Sequence, residues 1–179
     1  MKVIQSWLYS IVIAVAAALF INIFLFQQII VEGRSMEPTL ENHEHIVISK
    51  LGHTLKQTPD YDAIVVLDSR IKRERKLQDD LIEPVNNWVQ RQDYIYIKRV
   101  VGRPGDVMRF SGGKVYRNDV ALAETYIKEP MKYSNDQAIK VPENHVFVLG
   151  DNRNNSSDSR FMGAIPVDHV TGVMIFKLY

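Results

Sequence analysis

The chain has no cysteine among its 179 residues, which excludes a disulfide framework and spares a domain exported from the cell any redox problem. It also lacks an excess of charge of either sign, since 22 basic against 21 acidic residues leave a net charge of +1. A nucleic-acid surface would require a strongly basic balance, so nucleic acid is excluded as a partner. No internal repeat and no low-complexity stretch occurs. A further absence is local: from Trp7 to Phe26 there is no charged side chain, and only Ser10 and Asn22 dilute the apolar run.

A run of about 20 residues is what a helix needs to cross ~30 Å of hydrocarbon. "IVIAVAAALFINIFLF" is too long, and too little graded toward a small-residue cleavage site, for a secretory signal, although "AVAAA" carries that alternative. The reading is an uncleaved transmembrane anchor over 7–26, a short cytoplasmic head over 1–6, and one extracytoplasmic domain over 27–179. Charge barely orients the span, because Lys2 and the amino terminus stand against Arg34 on the other side. Content decides it: so short a head cannot hold a function. The lipid bilayer is therefore the first expected partner, and no feature specifies an oligomer.

Beyond the anchor the pattern alternates. "HIVISKL", "YDAIVVLD", "DYIYIKRVVG", "DVMRFSGGKVYRNDVAL", "NHVFVLGD" and "VTGVMIFKLY" are short, rich in Val, Ile, Tyr and Phe, and bounded by Gly, Pro, Asn and Asp. They read as strands. The Gly-Gly of "FSGGKVYRN" supplies a hairpin turn, because glycine tolerates the positive φ that such turns demand. Strands that follow one another without long helical spacers predict a mainly β, antiparallel fold. One segment breaks the pattern. Residues 69–92 are highly charged, carry Leu77 and Leu81 at helical spacing, and meet Pro84, so a helix ending near Glu83 is expected in a solvated insertion. The alternative is that Arg70, Lys72, Arg73, Arg75 and Lys76 lean on anionic lipid headgroups, although Glu74, Asp79 and Asp80 oppose it.

A few positions past the anchor, "VEGRSMEPTL" places Ser35 beside a turn. A serine hydroxyl needs a base to become a nucleophile, and the usual base is histidine held by a carboxylate. The five histidines are badly placed for that: His43 and His45 flank Glu44, His53 lies in a Gly-bounded loop, and His145 and His169 begin strands. Lysine can serve only if apolar neighbours disfavour its charged form. "YIYIKRVVG" offers such a place, with Lys98 among Tyr94, Ile95, Tyr96, Ile97, Val100 and Val101, on the opposite strand face from Ile97 and Arg99. On pattern alone, it could equally be a strand lysine pointing at water.

"GRSMEPTL", "YIKRVVGRPGD" and "GDNRNNSSDSRFMG", in that order behind an N-terminal anchor, closely resemble the successive signature boxes of type I signal peptidases, serine–lysine endopeptidases that cut signal peptides from exported proteins. The small size and single anchor are similar to the Gram-positive members. The resemblance implies a β-sheet catalytic domain of the signal-peptidase/LexA-like type, Ser35 as nucleophile and Lys98 as general base. It implies that the Ser35 N–H stabilises the oxyanion, and that Gly33 stands where many members have a serine whose hydroxyl also points there. It further implies that Ser156 hydrogen-bonds the lysine amine, that Asp158 and Arg160 form a supporting ion pair, and that Gly150, Asp151, Asn152 and Arg153 are turn architecture. By resemblance, Val31, Met36, Leu40, Tyr96 and Ile97 line shallow pockets for the small residues of a signal peptide, each with a core-packing alternative. No cofactor and no metal is implied, and "DNRNNSSDSRFM" fails as a calcium loop because Arg153, Ser156 and Met162 occupy its third, sixth and twelfth places. Two alternatives stand beside this reading. Family relatives that have lost the dyad serve in surface-fibre (pilus) assembly, but Ser35 and Lys98 are both present. A self-cleaving LexA-like repressor domain shares the dyad, but would carry a DNA-binding domain in place of the apolar run.

Overall fold

The structure, a computed structural model, describes residues 2–76, 78–82 and 93–178. It begins with α1 (Lys2–Phe20), prolonged by a π-helical turn, Ile21–Leu25. The window Ser6–Leu25 has a mean hydropathy of 2.5 and none of it is buried against the rest of the chain. An exposed helix that is apolar all round has the length and composition of a membrane span. Its end differs from expectation at Phe26, which is not in the helix but opens strand β1 (Phe26–Ile30). "FQQII" continues the apolar composition of the span, so the change of period was hidden in the sequence; pairing to a partner strand reveals it.

That partner is β2 (His45–Ser49), in register from Phe26↔Ser49 to Ile30↔His45. A short helix, α2 (Leu51–Thr54), follows and touches the base of the anchor, with Lys50 N–H donating to Leu25 O at 2.8 Å and Thr54 Oγ1 to Phe24 O at 3.4 Å. The remaining strands are β3 (Ile64–Asp68), β4 (Ile95–Gly102), β5 (Val107–Ser111), β6 (Lys114–Arg117), β7 (Val120–Ala121), β8 (Asn135–Lys140), β9 (His145–Leu149), β10 (Ile165–Pro166) and β11 (Val170–Leu178). Helix α3 (Ser159–Met162) and a 3-10 turn, Val167–His169, separate the last of them.

Among the described residues the strands form a seven-stranded sheet, ordered β1-β2-β11-β3-β4-β9-β10, and a four-stranded sheet, ordered β7-β6-β5-β8. Every pairing is antiparallel, so the fold is mainly β as the strand-rich pattern implies. The Gly112-Gly113 hairpin forms between β5 and β6, with φ of 57° and 75° at the two glycines. β8 was not legible in the sequence because it is a mostly exposed polar strand, "NDQAIK", that pairs only at one side. Three apolar clusters make the core. One packs Val31, Met36 and Leu40 on Ile46, Ile48 and Ile97; a second lies around Val65, Leu67, Val100 and Val148. The third joins the two sheets through Val101, Met108, Phe110 and Phe147.

The front of the 69–92 segment is fastened to β3 through its arginines. Asp68, at the end of β3, is fully buried and receives Arg70 Nη2 at 2.7 Å, Arg75 Nη1 at 2.8 Å and Arg73 Nη2 at 3.3 Å. Arg75 also reaches Asp80 at 2.9 Å, and Asp80 reaches His53 of α2 at 3.0 Å. Three of the five basic residues thus neutralise an internal carboxylate, because a buried charge must be paired; Lys72 and Lys76 stay exposed. Leu77, Glu83 and Pro84 lie outside the described residues; residues 78–82 form a helical turn.

Candidate active site

β4 is an inner strand, pairing β3 through Val65↔Lys98 and β9 through Arg99↔Leu149. Its backbone is therefore enclosed on both sides, and the Lys98 side chain follows it inward, being only 4% exposed. The lysine does not point at water. Its Nζ lies 2.9 Å from Ser35 Oγ and 2.9 Å from the Ile97 carbonyl, and 5.1 Å from the centre of the Tyr96 ring. Burial, partly opposed by the charges of Asp158 and Asp151, lowers the amine from 10.5 to about 8. An amine so placed is neutral often enough near neutral pH to accept the Ser35 proton.

Ser35 stands in a tight turn whose ends are tied, with the Gly33 N–H donating to Asn42 Oδ1 at 2.8 Å and the Leu40 N–H to Met36 O at 3.0 Å. Gly33 adopts a φ of +86°, a conformation that an L side chain rarely takes. The loop after β9 closes on this turn from the other side. Asn152 donates its N–H to Ser35 O and its Nδ2 to Arg34 O, both at 3.0 Å. Gly150 lets the loop come that near: a Cβ there would lie 2.5 Å from Ser35 O and would overlap Ser156 Oγ.

Asp158 and Arg160 form the expected ion pair, bidentate through Nε to Oδ1 at 2.8 Å and Nη2 to Oδ2 at 2.7 Å, with both residues buried. Asp158 also accepts the Gly150 N–H at 3.0 Å, so the pair holds the loop. Ser156 departs from expectation. Its buried Oγ lies beside Gly150 but makes no hydrogen bond, and the bond to the Lys98 amine is not formed; the amine is taken up by Ser35 and the Ile97 carbonyl.

Sequence reasoning missed a second network one residue along β4. Arg99 grips Asp151 through Nε at 2.8 Å and Nη2 at 2.6 Å, while Thr39 Oγ1 donates to Asp151 Oδ2 at 2.5 Å. Arg99 also lies 4.0 Å over the Tyr126 ring. Three segments remote in sequence, those of Ser35, Lys98 and the loop after β9, are thereby joined beside the site. The available signal was the unpaired Arg-Asp complement of "YIKR" and "GDNR", whose contact depends on folding.

The residues expected to line substrate pockets are mostly buried. Val31, Met36, Leu40 and Ile97 come together, but inside the first core cluster, with Met36 1% and Leu40 0% exposed. Tyr96 is half-buried against the second cluster on the other face of the strand. The first four side chains pack the apolar side of the Ser35 turn onto the sheet. Four of the five histidines are engaged elsewhere: His45 faces Gln28, His53 faces Asp80, His145 faces the Glu143 carbonyl, and the buried His169 faces the carbonyls of Asp68 and Arg73. Among the described residues no cluster of three or more His, Asp or Glu could hold a metal ion.

Comparison with known proteins places the whole chain. The family model for signal peptidase, peptidase S26, matches residues 4–179, and the chain belongs to this family of peptidases. Among its relatives is a probable signal peptidase I-2 of Synechocystis sp., 35% identical over 171 residues, which cover 94% of this chain and 71% of the relative. Signal peptidase I S of Bacillus subtilis is 32% identical over 191 residues, covering 99% of this chain and 90% of the relative. A crystal structure of a signal peptidase I from Enterococcus faecalis is 25% identical, with a TM-score of 0.47 over 66% of this chain and 98% of that one.

Proposed function

We propose that the chain is a membrane-anchored endopeptidase that removes N-terminal signal peptides from exported proteins, with Ser35 as nucleophile and Lys98 as general base. The observation that carries this reading is the 2.9 Å contact between Lys98 Nζ and Ser35 Oγ in a place where the amine is 4% exposed. Ser35 Oγ attacks the scissile carbonyl carbon as its proton passes to neutral Lys98. The carbonyl π electrons move to oxygen, and the Ser35 N–H supports that oxyanion. Lys98 then returns the proton to the leaving amine as the C–N bond breaks. A water, deprotonated by the same lysine, attacks the resulting ester; the acyl C–Oγ bond breaks, the cleaved signal peptide leaves as its carboxylate, and the lysine returns the proton to Ser35 Oγ.

The site's position suits a substrate held in the bilayer. In this reading residues 7–25 span the membrane with the amino terminus in the cytoplasm, and the domain lies outside. From Phe26 to Ser35 the chain can reach at most about 30 Å, so the nucleophile stays near the surface from which a signal peptide emerges. Anchoring raises the effective substrate concentration there. No feature favours a role in pilus assembly, since both dyad groups are present and in contact. The test is cleavage of a labelled signal-peptide substrate by the full chain in detergent: Ser35→Ala and Lys98→Ala each abolish turnover while the unfolding transition remains. Turnover retained in either variant sinks the dyad.

A further inference from the structure

The Ser35 turn has a tie that the cleavage chemistry outlined above does not use. One residue, Asn152, holds both peptide planes that flank the Ser35 Cα: its backbone N–H donates to the Ser35 carbonyl and its side-chain Nδ2 to the Arg34 carbonyl, each at 3.0 Å. A carbonyl oxygen only accepts, so the amide edge turned toward Arg34 is the NH2. With the two flanking planes pinned, φ and ψ of Ser35 are both set from across the site. Asn152 is buried, at 5% exposure, in a loop held by the Asp158 carboxylate on Gly150 and the Arg99–Asp151 pair.

The Arg34 carbonyl and the Ser35 N–H belong to one trans peptide unit, in which C=O and N–H point in opposite directions. Directing the carbonyl at Asn152 therefore turns the Ser35 N–H away from the loop. A carbonyl that accepts a hydrogen bond also makes the N–H of its own peptide a stronger donor, since chains of hydrogen bonds polarise one another. The same carbonyl accepts the Glu37 N–H at 3.3 Å, a longer bond within the turn. The Ser35 N–H itself donates to no group among the described residues. Gly33 offers no side-chain hydroxyl, so the burden on this one backbone donor is greater.

We propose that Asn152 is a positioning residue for the oxyanion: through the Arg34 carbonyl, its side-chain amide aims and polarises the Ser35 N–H. This rests on Ser35 being the nucleophile. The near-isosteric, uncharged variant Asn152→Leu keeps the backbone bond to Ser35 and removes only the Nδ2 donor. It is assayed with a labelled signal-peptide substrate across pH, beside wild type, Asn152→Ala and Ser35→Ala, with the unfolding midpoint of each. The expected result is a loss in kcat on the order of 10- to 100-fold with KM changed by less than about twofold. The midpoint of the pH profile stays where it is, because Asn152 does not touch the lysine. A kcat within about twofold of wild type in a folded variant overturns the proposal, as does a loss lying in KM or tracking a moved pH midpoint. If the Leu variant does not fold, Asn152→Ala is read by the same split; failure of both to fold assigns Asn152 to the scaffold and equally overturns it. Turnover by Ser35→Ala would sink the nucleophile reading instead, whatever Asn152 does.

Discussion

Gly150 lies directly against the Ser35 backbone, so that a Cβ on Gly150 would stand 2.5 Å from the Ser35 carbonyl oxygen and overlap the Ser156 hydroxyl. The crowding atoms are backbone and a short side chain, neither able to swing aside. Gly150→Ala must therefore push the loop away from the serine, and with it the Asn152 bonds. Misplacement of about 1 Å can cost on the order of 100-fold in rate. Cleavage by Gly150→Ala is expected to fall by at least about that factor, and wild-type kcat/KM would show that the loop is not pressed on the site.

In the proposed reaction the Lys98 amine, lowered by burial to about 8, ties activity to pH. As the base must be neutral, kcat/KM should rise from pH 6 to 9 with a midpoint near 8. A midpoint near ~6.5 would point to histidine instead. Stability carries the same signature with its own sign. A lysine whose folded value lies below its unfolded 10.5 costs stability while it is charged, and stability rises with pH between about 8 and 10.5 as the folded state sheds its proton first. Lys98→Met should accordingly raise the unfolding midpoint at pH 7, by an amount equivalent to about 1–3 kcal/mol, while abolishing cleavage.

Gly33 takes a φ of +86°, and a Cβ built on it would meet no atom within 4 Å. Space is available for a serine side chain there, but the backbone conformation is one that an L residue rarely takes. Gly33→Ser should cost about 1–2 kcal/mol of stability through strain. Its hydroxyl has no prepared position, so no gain in turnover is expected. Thermal unfolding and the cleavage assay measure the two effects, and a faster Gly33→Ser enzyme would refute the second.

Asp68 is the buried centre of the arginine cluster that fastens the insertion to β3. Burial alone would raise its carboxyl, but hydrogen bonds from the Arg70 side chain and backbone, with the charge of Arg75, outweigh it and hold it at about 2. Its stabilisation is complete above the unfolded value of ~3.9 and is lost as pH falls toward 2. Asp68→Ala removes the buried carboxylate that Arg70, Arg73 and Arg75 share, and should destabilise the domain by about 3 kcal/mol. Urea unfolding at pH 7 tests this, and the difference from wild type should shrink below pH 3. An unchanged midpoint at pH 7 would mean that the cluster is incidental.

Much of this architecture was written in local pattern. The strands around Val65, Lys98, Phe110 and Phe147 are short β-branched and aromatic runs between turn residues, and they formed where expected because period and propensity agree along a few consecutive residues. The Gly112-Gly113 hairpin needed only its two glycines. The end of the anchor was hidden because Phe26 to Ile30 is as apolar as the helix before it, and only pairing with β2 distinguishes strand from span. β8 was hidden for the opposite reason, being a polar edge strand stabilised by backbone bonds to β5.

For the site, the order of Ser35, Lys98 and the Asp158–Arg160 loop along the chain named the residue types and their plausible chemistry. Whether Lys98 met water or Ser35 depended on which strands enclosed β4, since desolvation is a property of neighbours brought together over long separations. The same holds for Asn152 on the Ser35 turn, for Arg99 on Asp151, and for Met36 and Leu40 in the first core cluster. Sequence by itself determined the apolar helix and the antiparallel class, because these follow from composition and near-neighbour period, while Ser35 and Lys98 were singled out by the resemblance of their motifs to the signal-peptidase boxes. Only the tertiary structure decided that the lysine is dry, lowered to about 8 and 2.9 Å from the serine, because dielectric and distance are set by packing.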